Sequence, residues 1–508
     1  MMSGLSSWIT RRAERTPAAP ALIDSGDGTE ITYAELAARS ARRAAALRAR
    51  GVRRGDRVMI ISLNSVAQLE TIFAVARLGA ITVPVNFRLS PAEIGYLISD
   101  AAPALLLHDD LFAALAAVSA DEAAASSPAV EVAHLDALDG PEEVFADEEP
   151  VGPDDVAMIM YTSGTTGKPK GAMLTHGNFE WNAINMITAG EGVTPKDRSL
   201  AVAPNFHIGG LGLFVLSLLY AGGTVVVAPA FDPGQTLRLL AEYRVTVHFM
   251  VPAMWAAMAK VPDFGDYDLS ALRCLLCGGA PCPLPVIDFY QSRGLTFMEG
   301  FGMTELAPTA TVLESRYVRS HAGSVGRPVL HVDIRIVDDA DHDVPVGEVG
   351  ELLVAGPNVF AGYWGLPAVT AHEKRGGWFH TGDLARRDAD GFVTLVDRKK
   401  DMIVTGGENV YPIEVEQVLF AHGDVDDVAV IGVPDETWGE AVTAIVTLRE
   451  GASTSADDLI AHCRARIAAF KAPRRVEFVD VLPRNATGKL LKRALREEFG
   501  TTGSAVSR

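Results

Sequence analysis

Eleven consecutive residues carry the strongest chemical signal in the chain: Tyr161-Thr-Ser-Gly-Thr-Thr-Gly-Lys-Pro-Lys-Gly171. Three glycines, four aliphatic hydroxyls and two lysines make a loop of backbone N–H and O–H donors, the equipment needed to cradle a polyphosphate. The candidate contacts are Thr162, Ser163, Gly164, Thr165, Thr166, Gly167 and Lys170. The pattern is not a Walker A loop, because Thr162 stands where that motif has its first Gly and Pro169 follows Lys168 in place of Ser or Thr. Composition by itself leaves a phosphate cradle and a plain Ser/Thr/Gly surface loop about equally open.

Other short patterns are ambiguous taken singly. Gly300-Phe-Gly-Met-Thr-Glu305 fails as a dinucleotide fingerprint, since Glu305 replaces its last Gly. Thr381-Gly-Asp383 is a turn by composition, although a carboxylate is the natural bidentate acceptor for a diol. Cys274-x-x-Cys277, with Cys282 nearby, invites a zinc reading. That reading is disfavoured, because a strand sends positions three apart to opposite faces and there is no second matching pair.

Taken together and in order, these motifs resemble those of the adenylate-forming enzymes: acyl-CoA synthetases, adenylation domains and luciferases. The resemblance spans roughly residues 5–500 and is closest to bacterial fatty-acyl-CoA and aryl-CoA synthetases. The stretches Gly171-Ala-Met-Leu-Thr-His-Gly-Asn178 and Leu275-Leu-Cys-Gly-Gly-Ala-Pro281 look like actinobacterial feruloyl-CoA synthetases. The resemblance implies that the 161–171 loop holds the ATP phosphates. Adenine would be framed by Gly279, Ala280 and Pro281 and by Glu299, Gly300, Phe301, Gly302 and Met303. Thr304 would bond the α-phosphate, and Glu305 would hold Mg²⁺, a hard cation suited to carboxylate and phosphate oxygens. Asp383 and Arg398 would take the ribose. Lys489, in Pro483-Arg-Asn-Ala-Thr-Gly-Lys489, would be the lysine that stabilises charge as a carboxylate attacks the α-phosphate. Gly406, Gly407, Glu408 and Asn409 would line the pantetheine path of coenzyme A, with Lys400 as hinge. Phe206, His207, Gly209 and Gly210 would form the acyl pocket, with His207 beside the carboxylate and the glycines leaving space for a bulky or long acid.

The elements that must position these residues read as α/β. Thr32 and Glu35 predict a capping box for a helix running toward Gly51. Strands are expected at Val58–Ser62, Ile81–Val85, Val156–Met160, Thr224–Val227 and Cys274–Cys277, and a helix at Ser65–Leu78. Residues 101–150, Ala-rich and acidic, read as a helix, an irregular excursion and a loop. Residues 320–396 read as a β-barrel-like subdomain. The expected organisation is an N-terminal AMP-binding portion over 1–397, built of two layered α/β subdomains plus that barrel. A hinge over 398–401 and a small mobile α+β domain over 402–508 complete it. The last domain is expected to contain a helix after Pro412, strands Val428–Val433, Val442–Leu448 and Val476–Val479, and helices near Ala456–Ala469 and from Leu490.

Composition narrows the function classes. A net charge of −19 argues against nucleic acid as a partner and against a polybasic membrane anchor. Residues 208–231 carry no charge, but Ala221-Gly222-Gly223 interrupts them, which disfavours a transmembrane span. Weak peripheral membrane contact stays compatible with a fatty-acid enzyme, and the oligomeric state is left open. Four cysteines in 508 residues and an N-terminus without an apolar run fit a reducing, cytoplasmic setting. The expected reaction is ATP-dependent ligation of a small-molecule carboxylic acid to CoA through an acyl-AMP. A medium- to long-chain fatty acid is the first choice and an aryl or hydroxycinnamate acid the alternative; a further alternative is an acyl-AMP ligase that loads a carrier protein. The substrates are all anions. At a Debye length of about 8 Å the remote carboxylates are screened, so attraction must come from local donors and cations.

Overall fold

The computed structural model describes residues 4–124, 127–138, 147–162, 168–280, 282–435, 437–484 and 490–500. They divide into two compact units, Met1–Ile334 with Val354–Phe379, and Arg335–Leu353 with His380–Arg508.

The first unit is layered α/β with three sheets. A seven-stranded sheet runs in the order Gly362–Tyr363, Lys170–Thr175, Val156–Thr162, Ile81–Pro84, Arg57–Ile61, Leu105–His108, Glu131–His134. Its last five strands are parallel and its first three antiparallel to their neighbours. Two of these strands, Leu105–His108 and Glu131–His134, fall in the stretch read from sequence as irregular. Short strands flanked by Ala-rich segments leave little periodicity, and only their pairing with Arg57–Ile61 and with each other reveals them. Helices Pro91–Ala101 and Ala113–Ala124 pack on one face, where Ile94, Leu97, Ile98 and Ala116 meet Met59, Ile61 and Leu106. A five-stranded sheet, Val247–Met250, Cys274–Gly278, Phe297–Gly302, Thr309–Leu313 and Arg327–Pro328, begins parallel and ends antiparallel.

The capping box appears as expected: Thr32 accepts from the Glu35 N–H, and the Glu35 carboxylate accepts from the Thr32 N–H at 2.8 Å, opening helix Tyr33–Ala49. The charge-free run is no membrane span. Residues 208–221 are one helix that widens to a π-helix over Leu211–Leu216; Gly222 ends it at φ 96°, and Thr224–Val227 follows as a buried strand. Among the described residues no helix is long and apolar enough to cross a membrane.

In the second unit, Gly350–Ala355, Phe379–Arg387 and Val393–Arg398 form a four-stranded sheet with Asp333–Val337. The 320–396 stretch is thus divided: it builds this sheet, while Arg327–Pro328 and Gly362–Tyr363 add edge strands to the sheets of the first unit. A second sheet pairs Val425–Asp435 with Gly439–Leu448 and adds the hairpin Ile403–Thr405/Glu408–Val410 and strand Arg475–Phe478. The continuous apolar run in Val425–Asp435 reflects burial on both faces. Val428 and Val430 face helices Pro412–Phe420 and Ala456–Arg464, whereas Ala429, Ile431 and Val433 face Leu495 of the last helix, Lys492–Phe499. The helix expected to reach Ala469 ends at Arg464.

Candidate active site

The phosphate-loop signature sits on the hairpin Val156–Thr162/Lys170–Thr175, with Thr162 opposite Lys170. Ser163, Gly164, Thr165, Thr166 and Gly167 lie outside the described residues, as do Pro281 and Lys489. The base of the loop is firmly held. Tyr161 donates to Asp100 Oδ2 at 2.6 Å, and burial together with that carboxylate pushes its phenol pKa up. The Trp364 indole donates to the Asp100 carbonyl at 3.1 Å. Gly171 is needed for packing: a Cβ there would stand 2.7 Å from Ile159 Cγ2.

Lys170 and Glu305 meet through a residue that the sequence reading missed. The Lys170 ammonium lies 4.3 Å from the centre of the Tyr363 ring, and the Tyr363 hydroxyl donates to Glu305 Oε1 at 2.8 Å. Glu305 is buried. One buried carboxylate beside the phosphate-loop lysine fits Mg²⁺, which binds through one or two carboxylates plus substrate phosphates. Thr304–Leu306 form a 3₁₀ turn followed by Ala307 at φ 61°. Three asparagines fix this turn. The fully buried Asn358 donates to the carbonyls of Leu306 at 2.7 Å and Thr309 at 2.9 Å. Asn178 donates to the Pro357 and Val359 carbonyls. Asn182 accepts from the Thr309 N–H and donates to the Gly212 carbonyl, which also accepts from the Ser217 hydroxyl. That diversion of the Gly212 carbonyl lies inside the π-helical segment, a geometry often found beside functional sites. Buried asparagines spaced along a chain give no local signal, so only the folded structure discloses this network.

The two motifs that the resemblance assigns to adenine run side by side, because Cys277 pairs with Glu299 and Gly278 with Gly300 on parallel strands. Ligands of α/β sheets bind outside such carboxyl ends. Gly279, at φ 86°, and Ala280 are exposed there, and Gly300, Phe301, Gly302, Met303 and Thr304 are all half-buried. A Cβ on Gly302 would fall 2.1 Å from the Pro308 carbonyl oxygen, so this glycine permits a close backbone crossing. Glu299 is buried, and its Oε1 has no hydrogen-bond partner among the described residues. Burial raises its pKa to about 7, against the opposing backbone N–H of Cys282.

His207 caps the helix that starts at Ile208 without bonding its side chain to it, and its Nε2 has no partner among the described residues. Burial, then the charge of Arg88, lowers its pKa to about 4, so it is neutral at physiological pH. Arg88, another residue missed from sequence, lies over the rings of Phe87 and Phe206 at 5.0 and 6.0 Å. The turn before His207 is set by buried amides: Asn205 donates from its N–H to Asn64 and from its side chain to Gln68. The glycines beyond His207 do not leave open space. A Cβ on Gly210 would stand 2.4 Å from the Pro204 carbonyl oxygen, and one on Gly212 would stand 2.9 Å from Pro308 Cδ. Close packing of the helix explains these glycines.

In the second unit, Asp383 and Arg398 face each other across adjacent strands, with Arg398 Nε 2.7 Å from Asp383 Oδ1. The charged tetrad 398–401 is mostly engaged. Lys399 pairs with Glu351 and Asp339, and Asp401 pairs with Arg496, while Lys400 is exposed in a turn. Asp397 accepts from the Ile413 N–H at the head of helix Pro412–Phe420. Gly406 and Gly407, at φ 60° and 84°, form a two-residue hairpin turn of the type that needs positive φ at both positions. Glu408 and Asn409 follow on its second strand, exposed. A Cβ on Gly406 would meet Trp438 at 2.9 Å, and Arg474 stacks 3.9 Å from the Trp438 ring centre.

The chain matches the AMP-binding enzyme family over residues 9–364 and the AMP-binding enzyme C-terminal domain over residues 414–489, and it belongs to that family. It is 47% identical to a feruloyl-CoA synthase of Amycolatopsis sp. over 498 residues, covering 98% of this chain and 99% of that one. A long-chain-fatty-acid–CoA ligase of Mycobacterium tuberculosis is 35% identical, with 99% of each chain covered. The Bacillus subtilis o-succinylbenzoate CoA synthetase, solved with its acyl-adenylate intermediate, superposes with a TM-score of 0.87 at 33% identity, covering 96% of this chain and 97% of that one.

Proposed function

We infer that the protein is an AMP-forming ligase that joins a hydroxycinnamate-type aryl acid to CoA. The observation that carries the chemistry is the Lys170–Tyr363–Glu305 arrangement beside the adenine motifs, a cation and a buried carboxylate fixed where a nucleotide triphosphate must lie. The acid is argued from likeness: 47% identity to a feruloyl-CoA synthase against 35% to a fatty-acid ligase. The fatty acid expected first, partly from the glycines beyond His207, gives way to the aryl alternative, which the local motif resemblance had favoured.

In this reading a carboxylate oxygen attacks the α-phosphorus of ATP, pyrophosphate leaves, and acyl-AMP forms. A free carboxylate is a poor acyl donor, and adenylation supplies the leaving group. Mg²⁺ bound at Glu305 would neutralise phosphate charge. Neutral His207 orients the carboxylate by hydrogen bonding, with the Arg88 charge nearby. Asp383 and Arg398 hold the ribose, and Lys489 bridges the two anionic reactants. The CoA sulfur then attacks the acyl carbon, AMP leaves, and the thiol proton passes to solvent. Gly406, Gly407, Glu408 and Asn409 serve this second step after a rotation at Lys400. A cytoplasmic setting, which supplies ATP and CoA, is the one proposed.

The test is AMP release dependent on ATP, Mg²⁺ and CoA with ferulate, octanoate and palmitate in parallel. A kcat/KM for ferulate at least tenfold above the others is expected; preference for palmitate refutes the aryl assignment, and no AMP with any acid refutes the ligase.

A further inference from the structure

The strand Gly362–Tyr363 is the first of the seven-stranded sheet, so one of its edges has no further strand beside it. The backbone groups of such an edge need another cover. Toward the sheet, the N–H groups of Ala361 and Trp364 donate to the carbonyls of Met173 and Gly171 at 2.9 and 2.8 Å. Helix Pro367–Glu373 supplies a further partner, because the Tyr363 N–H donates to Thr370 Oγ1 at 2.9 Å. Lys374, the residue that ends this helix, turns back over the same segment. Its ammonium donates to the Phe360 carbonyl at 2.5 Å, lies 3.5 Å from the Ala361 carbonyl oxygen and stands 5.4 Å from the centre of the Phe360 ring. Burial lowers its pKa, and no carboxylate lies beside it among the described residues to offset that. A half-buried cation without a counter-ion is costly, so its charge is spent on the carbonyls it touches.

Phe360 links this cation to the site. It is fully buried, its N–H donates to the Glu305 carbonyl at 2.8 Å, and its ring meets the Tyr363 ring edge-on at 4.8 Å. Tyr363 in turn bonds the Glu305 carboxylate. One short segment therefore holds Glu305 by its backbone and by its side chain, and Lys374 caps that segment at Phe360.

We propose that Lys374 is a positioning residue for the adenylation step: its ammonium pins the 360–363 segment and so fixes where the Glu305 carboxylate and the Tyr363 hydroxyl lie. The inference rests on the ligase reading above, in which Glu305 would hold Mg²⁺. Removing the cation takes a charge-assisted bond from the Phe360 carbonyl and loosens the support behind the metal ligand. The attack of CoA on acyl-AMP does not call on that metal and should be spared.

Lys374→Met and Lys374→Arg test this. Calorimetric titration with Mg·ATP, without acid, reads binding, and the Mg²⁺ concentration for half-maximal ATP–pyrophosphate exchange reads the metal site. Thioester formation from supplied acyl-AMP and CoA reads the second step, and thermal unfolding verifies folding. In the Met variant exchange should fall at least about tenfold, the usual cost of losing support behind a metal ligand, and the Kd for Mg·ATP and the half-maximal Mg²⁺ should both rise. Its thioester step should stay within about twofold of wild type, and the Arg variant, which keeps a cation there, should recover most of the exchange. A folded Met variant with wild-type exchange and Mg·ATP binding overturns the proposal, and so does an equal loss in both half-reactions, which marks a merely structural lysine. If the Met variant does not fold, Lys374→Gln is judged by the same outcomes. Failure of the ligase reading shows differently, as wild-type enzyme that exchanges pyrophosphate with no acid, and Mg·ATP binding then still decides the role of Lys374.

Discussion

Asn358 offers the sharpest perturbation of the candidate site without touching a predicted ligand. Its amide is fully buried and donates to the Leu306 and Thr309 carbonyls, at either end of the turn that follows Thr304 and Glu305. Asn358→Ala removes both donors. Each lost hydrogen bond costs about 0.5–1.5 kcal/mol net, and a buried acceptor left unmade costs about 1–3 kcal/mol. Two such acceptors would cost about 2–6 kcal/mol. Asn358 Oδ1 itself has no partner among the described residues, so its removal offsets about 1–2 kcal/mol of that. At the central values, about 4 less about 1.5, a net loss of about 2.5 kcal/mol follows, and Asn358→Leu, which keeps the volume but not the donors, should lose a similar amount. The same change frees the turn that aims Glu305, and misplacement worth about 1.4 kcal/mol in the transition state is tenfold in rate. Denaturant unfolding followed by near-ultraviolet dichroism reads the stability, and ATP–pyrophosphate exchange reads the adenylation step. Exchange should fall tenfold or more. An Ala variant within about 0.5 kcal/mol of wild type and with undiminished exchange would refute the claim that this amide builds the site.

Lys489→Ala should abolish acyl-AMP formation yet still convert supplied acyl-AMP and CoA to thioester; ATP-dependent acyl-AMP formation at the wild-type rate would remove Lys489 from the mechanism. Trp438→Ala should raise the KM for CoA severalfold and leave pyrophosphate exchange unchanged, because Trp438 packs on the glycine turn assigned to the second half-reaction. Glu299 has a folded pKa of about 7, above its unfolded value, so the native state holds the extra proton between about 4.5 and 7. Its contribution to stability is full below that window and fades as pH rises through it. Glu299→Gln should therefore gain stability relative to wild type between pH 5 and 7.5, read as thermal midpoints in matched buffers. His176 and His207, lowered to about 4, and His248, lowered to about 3, act with the opposite sign. The unfolded state takes up their protons first, so stability falls as pH drops from 6.5 towards 4, and His248→Phe should flatten that slope.

Much of the site was legible because its chemistry is concentrated in contiguous motifs. A loop that wraps phosphate must supply adjacent donors, so 161–171 stands out by composition, and glycines at 278–279 and 300–302 mark places where backbone must come close. The capping box and the strands around the nucleotide motifs were legible for the same local reason. What stayed hidden was whatever depends on distant partners. The strands Leu105–His108 and Glu131–His134 are too short to announce themselves without the neighbour they pair with. Gly209 and Gly210 looked like vacated space, but a missing side chain states only that a Cβ would not fit, and here it would meet an aromatic ring and backbone carbonyls.

The sequence by itself determined the family, the order of the motifs, the α/β class and the need for local cations in a chain of net charge −19. Only the tertiary structure decided which residues hold those motifs in place. Tyr363 joins Lys170 to Glu305 across nearly two hundred residues of chain, and Asn182 and Asn358 bind the turn from other elements. Gly209 and Gly278, sixty-nine residues apart in the chain, both pack against the ring of Phe249. A hydrogen bond or a steric wall is a property of two groups at a distance, and the sequence lists the groups without the distance.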